Sequence, residues 1–191
     1  KDVALWRLDL GSAVVGEMLP KDTAEAIVGT RDGLVRSVIL STGEIKWTFD
    51  ALSQWGGGTL DGNRLYFGTA SGDVYCLNAA DGTLIWKTGP VDPIGFVASP
   101  KIASTSKGKF LIMASTSGNV YGINSVFGGK VWRYSAEGAV VSSPVVAGDA
   151  VFFGSWDTNF YALSATSGEL LWSKSLARSV YYSPYLSPAE S

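Results

Sequence analysis

An all-β fold of four-stranded antiparallel units, arranged around an axis as the blades of a β-propeller, is predicted by three observations. A thirteen-residue phrase recurs, as VYCLNAADGTLIW (Val74 to Trp86), VYGINSVFGGKVW (Val120 to Trp132) and FYALSATSGELLW (Phe160 to Trp172). Its closing Trp belongs to a longer series, Trp6, Trp47, Trp86, Trp132 and Trp172, spaced by 41, 39, 46 and 40 residues. No segment sustains a 3.6-residue apolar period. Short runs rich in Val, Ile, Tyr, Phe and Leu instead alternate with Gly, Asn and Asp turns. Four strands in about 40 residues make one propeller blade.

The chain divides on this pattern into one domain spanning 1–191. Residues 1–10, around Trp6, read as the last strand of a partial blade. Complete blades follow at 12–50, 55–90, 97–135 and 140–176, and 180–186 reads as the first strand of another partial blade. In the second blade the strands are expected near Gly57–Leu60, Arg64–Thr69, Asp73–Asn78 and Thr83–Thr88. The turns between them hold Gly, Asn or Asp where positive φ is needed. With four complete blades and a partial fifth, two outcomes are open: a ragged closed ring, or an arc of a larger ring. The arc is favoured, with the chain read as part of a longer protein. An open arc exposes a strand edge and a blade face, which favours self-association.

Within each unit, positions counted back from Trp are nearly constant. Four residues before stand Gly43, Gly82, Gly128 and Gly168; ten before stand Ser37, Cys76, Gly122 and Ala162; eighteen before stand Gly29, Gly68, Ala114 and Gly154. All length variation falls between a Trp and the next small residue. A lone four-stranded sheet cannot bury both faces, but stacked sheets can. The Trp series is therefore expected to wedge each blade against its neighbour. The small residue ten positions back leaves room for a ring, and the glycine four back permits the turn that aims the Trp.

Composition narrows the chemistry. The chain is 46% hydrophobic and 17% charged with a net charge of −2, enough for a sizeable core and without the basic footprint of a nucleic-acid binder. No run reaches the ~18 apolar residues of a membrane-spanning helix. Histidine is absent, which removes Ser-His-Asp and Cys-His nucleophilic systems and His-ligated zinc. Cys76 stands alone in a small-residue slot and reads as a buried, inert thiol. Asp73, Asp81, Asp149 and Asp157 fall in turns of different blades and read as solvated rather than convergent. Ser71 to Val74 and Trp55-Gly56-Gly57-Gly58 precede no helix, so neither reads as a phosphate loop.

The repeat resembles the quinoprotein-type (PQQ-repeat) β-propeller family, whose docking phrase runs Ala-x-Asp-x-x-x-Gly-x-x-x-Trp. Ala162, Gly168 and Trp172 match it, with Ser164 in the Asp place; the sets ending at Trp86, Trp132 and Trp47 match more loosely. Ser99-Pro100, Ser143-Pro144 and Ser183-Pro184 add the innermost-strand Ser-Pro of that family. The resemblance covers nearly the whole chain and implies several functional classes: quinone-dependent dehydrogenases, cofactor-free binding scaffolds of the bacterial outer-membrane assembly machinery, and sensor domains of kinases or adenylating enzymes.

Pyrroloquinoline quinone (PQQ) with calcium is disfavoured. Cys76 cannot form the adjacent-cysteine disulfide the resemblance implies. The inner strands carry few of the carboxylates a calcium site needs, Glu17 in the first and none in Val97 to Ala103 or Val140 to Ala147. No catalytic, cofactor or metal residue is therefore assigned, and the favoured reading is a non-enzymatic scaffold that binds another protein through its loops and channel mouth. The resemblance implies an extracytoplasmic location. Alternatives are a piece of a quinoprotein dehydrogenase or a ligand-sensing domain. The candidate interaction surface comprises Trp156, Trp55, Phe96 and Tyr182, framed by Arg31 and Arg178. Trp156 breaks the repeat at the place held by Arg31, Ala70 and Thr116. For all these aromatics two readings stay open, interface anchor or cap over a blade end.

Overall fold

The computed structural model describes residues 6–176. The expected strand at 180–186, together with Tyr182 and Arg178, lies outside the described residues. Those residues form sixteen strands and no helix, in four antiparallel sheets of four strands each. The first sheet is β1 (Leu19–Pro20), β2 (Glu25–Gly29), β3 (Leu34–Ile39) and β4 (Ile45–Asp50). The second is β5 (Trp55–Asp61), β6 (Arg64–Thr69), β7 (Val74–Asn78) and β8 (Leu84–Thr88). The third is β9 (Lys101–Thr105), β10 (Gly108–Ala114), β11 (Asn119–Asn124) and β12 (Lys130–Ser135). The fourth is β13 (Val145–Ala147), β14 (Ala150–Gly154), β15 (Asn159–Ser164) and β16 (Leu170–Ser175). Within each sheet spatial order follows chain order, a plain meander.

The first strands of successive sheets neighbour one another in turn, β1 with β5, β5 with β9 and β9 with β13. They form the inner wall, the fourth strands the perimeter, and the arc stays open. Residues 6–10, expected as a strand, have no ladder partner and no strand conformation. In the second sheet β5 begins at Trp55, two residues earlier than expected. Trp55 pairs with Thr69 across a bulge, and pairing resumes at Gly58 with Phe67.

Three apolar layers fill the gaps between sheets. Ile27, Val35 and Trp47 meet Leu65, Phe67, Tyr75 and Leu77 between the first two. Tyr66 and Cys76 meet Leu111, Met113 and Tyr121 in the next. Ile112, Val120 and Trp132 meet Val151, Phe153, Tyr161 and Leu163 in the last. Leu65 and Phe67 point to one neighbour and Tyr66 to the other, so consecutive residues of β6 are all buried. That explains continuous apolar runs such as Leu65-Tyr66-Phe67 where a one-sided sheet would alternate.

Every blade has two distinct ends. The hairpin end carries the turns joining first to second and third to fourth strands. The connection end carries the turns joining second to third strands and the links from each perimeter strand to the next inner strand. Main-chain bonds lace the connection ends of neighbouring blades together: Ala70 N–H donates to Gln54 O at 3.0 Å, Val91 to Gly72 O at 2.8 Å, and Trp156 to Ala139 O at 2.9 Å.

Candidate functional site

The repeated Trp closes each blade junction at the hairpin end. Trp47 Nε1 donates to Ala79 O of the second sheet at 3.2 Å, Trp86 to Ser125 O at 3.2 Å, and Trp132 to Ala165 O at 3.0 Å. Trp6 makes the same contact with Leu40 O at 2.7 Å. Each ring lies flat on the glycine three residues beyond that carbonyl. A Cβ at Gly43, Gly82, Gly128 or Gly168 would stand 2.6, 2.6, 2.7 or 2.5 Å from Cε3 of Trp6, Trp47, Trp86 or Trp132. These glycines have φ of 76°, 75°, 78° and 73°, the left-handed conformation that closes the turn.

The glycine four residues before a Trp therefore serves the preceding blade's indole. Its own Trp is aimed by a different device. In each sheet the register slips by one residue just after the small position opposite the Trp: Ser37 faces Trp47 while Val38 faces Ile45, and the same bulge recurs after Cys76, Gly122 and Ala162. The extra residue bends the perimeter strand and turns the indole toward the next blade.

Two candidate surface residues are core. Trp55 is 1% and Phe96 0% exposed. Trp55 packs on Gly29 and stacks on Phe67, with ring centroids 4.9 Å apart. Phe96 lies against Gly68 and edge-on to Tyr121. Gly29 and Gly68, the small residues eighteen positions before Trp47 and Trp86, thus form a second inter-blade floor, and these two rings fill the core over it. Trp156 differs: it is 47% exposed on the β14–β15 turn at the connection end, and Arg31 is exposed on the β2–β3 turn of that same end.

Apolar residues that sequence reasoning passed over join Trp156 there. Leu52 is 84% exposed with φ of 58°, Ile94 is 60% exposed and Val97 51%. All three occupy perimeter-to-inner links. A large aliphatic residue inside a turn segment, as in Ala51-Leu52-Ser53 or Pro93-Ile94-Gly95, was the available signal. Beneath them Asp92 braces the longest link. Its carboxylate accepts from the Ile94 and Gly95 amides at 2.9 and 3.2 Å and from Ser117, Asn119 and Tyr121 of the third sheet at 2.5, 3.1 and 2.9 Å. Burial raises its pKa, but the Ser117 hydroxyl, the Ile94 amide and the other donors outweigh that and hold it at about 2. Burial, reinforced by Asp92, pushes the Tyr121 phenol up to about 12. Asp157 repeats the motif with Tyr161 at 2.7 Å.

Cys76 is buried, and burial carries its thiol up to about 11. Among the described residues no group of three or more His, Cys, Asp or Glu side chains could hold a metal ion. Asp61, on an inner strand, is paired with Lys109 at 2.6 Å, and Asp92 is satisfied by protein donors.

A family model described as outer membrane protein assembly factor BamB, built on PQQ-type repeats, matches residues 4–87, 31–103 and 95–188. The chain belongs to this family. The crystal structure of BamB from Moraxella catarrhalis superposes with a TM-score of 0.75 at 23% identity, covering 95% of this chain and 54% of that one. The computationally designed Ika8 protein superposes with a TM-score of 0.76 at 15% identity, covering 89% of this chain and 52% of that one. The chain thus spans about half the length of either structure, and both likenesses are of fold. No curated protein matches it.

Proposed function

We propose that the chain is a non-catalytic protein-binding scaffold whose contact surface is the connection end. The observation that carries this is the set of large apolar side chains exposed on that end, Trp156, Leu52, Ile94 and Val97, the last two on a link braced by Asp92. Exposed aromatic and aliphatic anchors on a rigid base are how protein interfaces gain affinity at low ordering cost. Leu52 adds a second sign. A branched residue in the left-handed region costs folding free energy and recovers nothing by burial. Membership of a family described as an assembly factor supports the reading, as does the poor fit to quinone and metal chemistry. The same membership favours an extracytoplasmic location. No helix among the described residues is long and apolar enough to cross a membrane.

The test is capture of partners by the immobilised chain. Trp156→Ala combined with Leu52→Asn is expected to reduce capture at least about tenfold and leave the melting temperature nearly unchanged, since Asn tolerates the left-handed backbone. Phe127→Ala, which removes a side chain 67% exposed at the hairpin end, is the matched control. Equal loss from both variants, or none from the first, removes the connection end from consideration.

A further inference from the structure

Charge is not spread evenly over the four blades. Between Asp92 and Glu137 the sequence holds no acidic residue and five basic ones, Lys101, Lys107, Lys109, Lys130 and Arg133, in a chain whose net charge is −2. That interval is the third blade, which stands between the described second and fourth blades. All five side chains are exposed. Lys107, on the β9–β10 turn, Lys109, near the start of β10, and Lys130, at the start of β12, fall at the hairpin end. Lys109 is paired with Asp61, whereas Lys107 and Lys130 make no ion pair among the described residues. Asp81 on one side and Asp149 and Glu169 on the other, in turns of the flanking blades, bound this basic patch.

The same end of the same blade breaks the repeat in a second way. The two residues before the turn glycine are Ser41-Thr42, Ala80-Asp81 and Thr166-Ser167 in the other blades, but Val126-Phe127 here. They are 61% and 67% exposed. The turn beneath them is fixed from several sides. The Asn124 side chain accepts from the Val126 and Phe127 amides at 2.9 and 3.4 Å, and Arg64 of the second blade donates to Ser125 O and Val126 O at 3.2 and 3.4 Å. Tyr66 and Trp86 also donate to Ser125 O. An apolar pair is thus held in water on a rigid tip, among cations that no carboxylate of its own blade neutralises.

We propose that the hairpin end of the third blade docks on an anionic lipid surface, Val126 and Phe127 entering the boundary between headgroups and acyl chains while Lys107 and Lys130 meet headgroup phosphates. Charge complementarity selects an anionic occupant, and the shape of the tip selects a lipid one. A protein partner would need a cavity matched to a projecting turn, whereas a fluid interface closes around it. Apolar side chains that enter the interface and cations that stay at the headgroups are the two parts of reversible membrane attachment, each weak alone. The attachment would turn the connection end away from the lipid.

Flotation of the full 191-residue chain with phosphatidylcholine vesicles, with and without about 30 mol% phosphatidylglycerol, tests this. The chain is expected to float with the anionic vesicles only, and less as salt is raised. Val126→Thr/Phe127→Ser writes in the residue types of the fourth blade's turn, so it should keep the melting temperature and weaken vesicle binding about tenfold or more. Lys107→Gln/Lys130→Gln should weaken it similarly. Arg31→Gln/Lys174→Gln removes the same charge toward the connection end and should change binding at most about twofold. A chain that ignores the anionic vesicles, equal binding to both kinds of vesicle, an unaffected Val126→Thr/Phe127→Ser variant, or equal loss from the two charge variants overturns the proposal. So does capture of a poly-glutamate peptide by a chain that ignores the vesicles, which would give the patch to an acidic protein segment. These readouts use no protein partner, so they neither support nor remove the contact surface proposed above.

Discussion

Gly82→Ala puts the junction geometry at risk in a single methyl group. Gly82 has φ of 75°, and a Cβ there would lie 2.6 Å from Cε3 of the Trp47 ring. Two costs follow. Holding an alanine in the left-handed region costs about 1–2 kcal/mol, and forcing a carbon into an occupied contact costs about 1–3 kcal/mol more. Gly62 isolates the first cost: its φ is 57° and nothing lies within 4 Å of its Cβ position. Gly62→Ala should thus lose about 1–2 kcal/mol and Gly82→Ala about 2–5. In a Trp47→Ala background, itself costing about 3–5 kcal/mol, the steric part should vanish and Gly82→Ala should fall to the Gly62 value. Equilibrium unfolding in urea, followed by circular dichroism, measures all four variants. Equal losses at Gly62 and Gly82, or strict additivity of Trp47→Ala and Gly82→Ala, would show that the indole does not rest on that glycine.

Other outcomes can be checked alongside. Trp132→Ala should cost about 3–5 kcal/mol and Trp172→Ala about 1, since one ring is 7% and the other 46% exposed. Cys76 should resist iodoacetamide in the folded chain and react on unfolding, because burial carries its thiol to about 11. Asp92 has a depressed folded pKa of about 2, so its stabilisation is full above the unfolded value of about 3.9 and is lost as pH falls through 2. Asp92→Asn should therefore flatten the acid limb of a melting-temperature profile between about pH 4 and pH 2.

What the sequence made legible follows from what repeats enforce. The Trp series, the turn glycines and the four-strand unit are each imposed four times, so chance cannot mimic them. The roles inside the unit were harder to read. Gly82 looked like a hinge for Trp86, four residues on, but it is the seat for Trp47, thirty-five residues back. Only the stacking of one blade on the next makes that pairing. The bulge that aims each Trp was hidden because all four units carry it, so it shifts no spacing. Trp55 and Phe96 looked exceptional for lying outside the thirteen-residue phrase, yet they occupy one equivalent position and rest on Gly29 and Gly68. Asp92 could not be read as a brace, since its partners Ser117, Asn119 and Tyr121 come from the following blade.

The two ends of the molecule carry different constraints, and that difference bears on the proposed contact surface. In the turns between third and fourth strands, the carbonyls and glycines that receive Trp6, Trp47, Trp86 and Trp132 are fixed, so a change of length in those turns would move a junction. The Trp spacings of 39 to 46 residues vary at both ends: five residues separate the paired Leu60 and Leu65 across the β5–β6 hairpin and nine separate Ile102 and Leu111 across β9–β10, and the links differ in length as well. Loops anchored on a rigid frame and free to vary are where binding residues accumulate. The exceptions within the repeat agree. Leu52, Ile94 and Trp156 all lie at the connection end and are 84%, 60% and 47% exposed. Phe127 and Val126, at 67% and 61% exposed, show that the hairpin end also offers apolar surface, so exposure by itself does not choose between the ends. The backbone beneath is what favours the connection end in the proposed reading. Leu52 holds a left-handed φ of 58° where glycine would relieve the strain, and no buried contact compensates it.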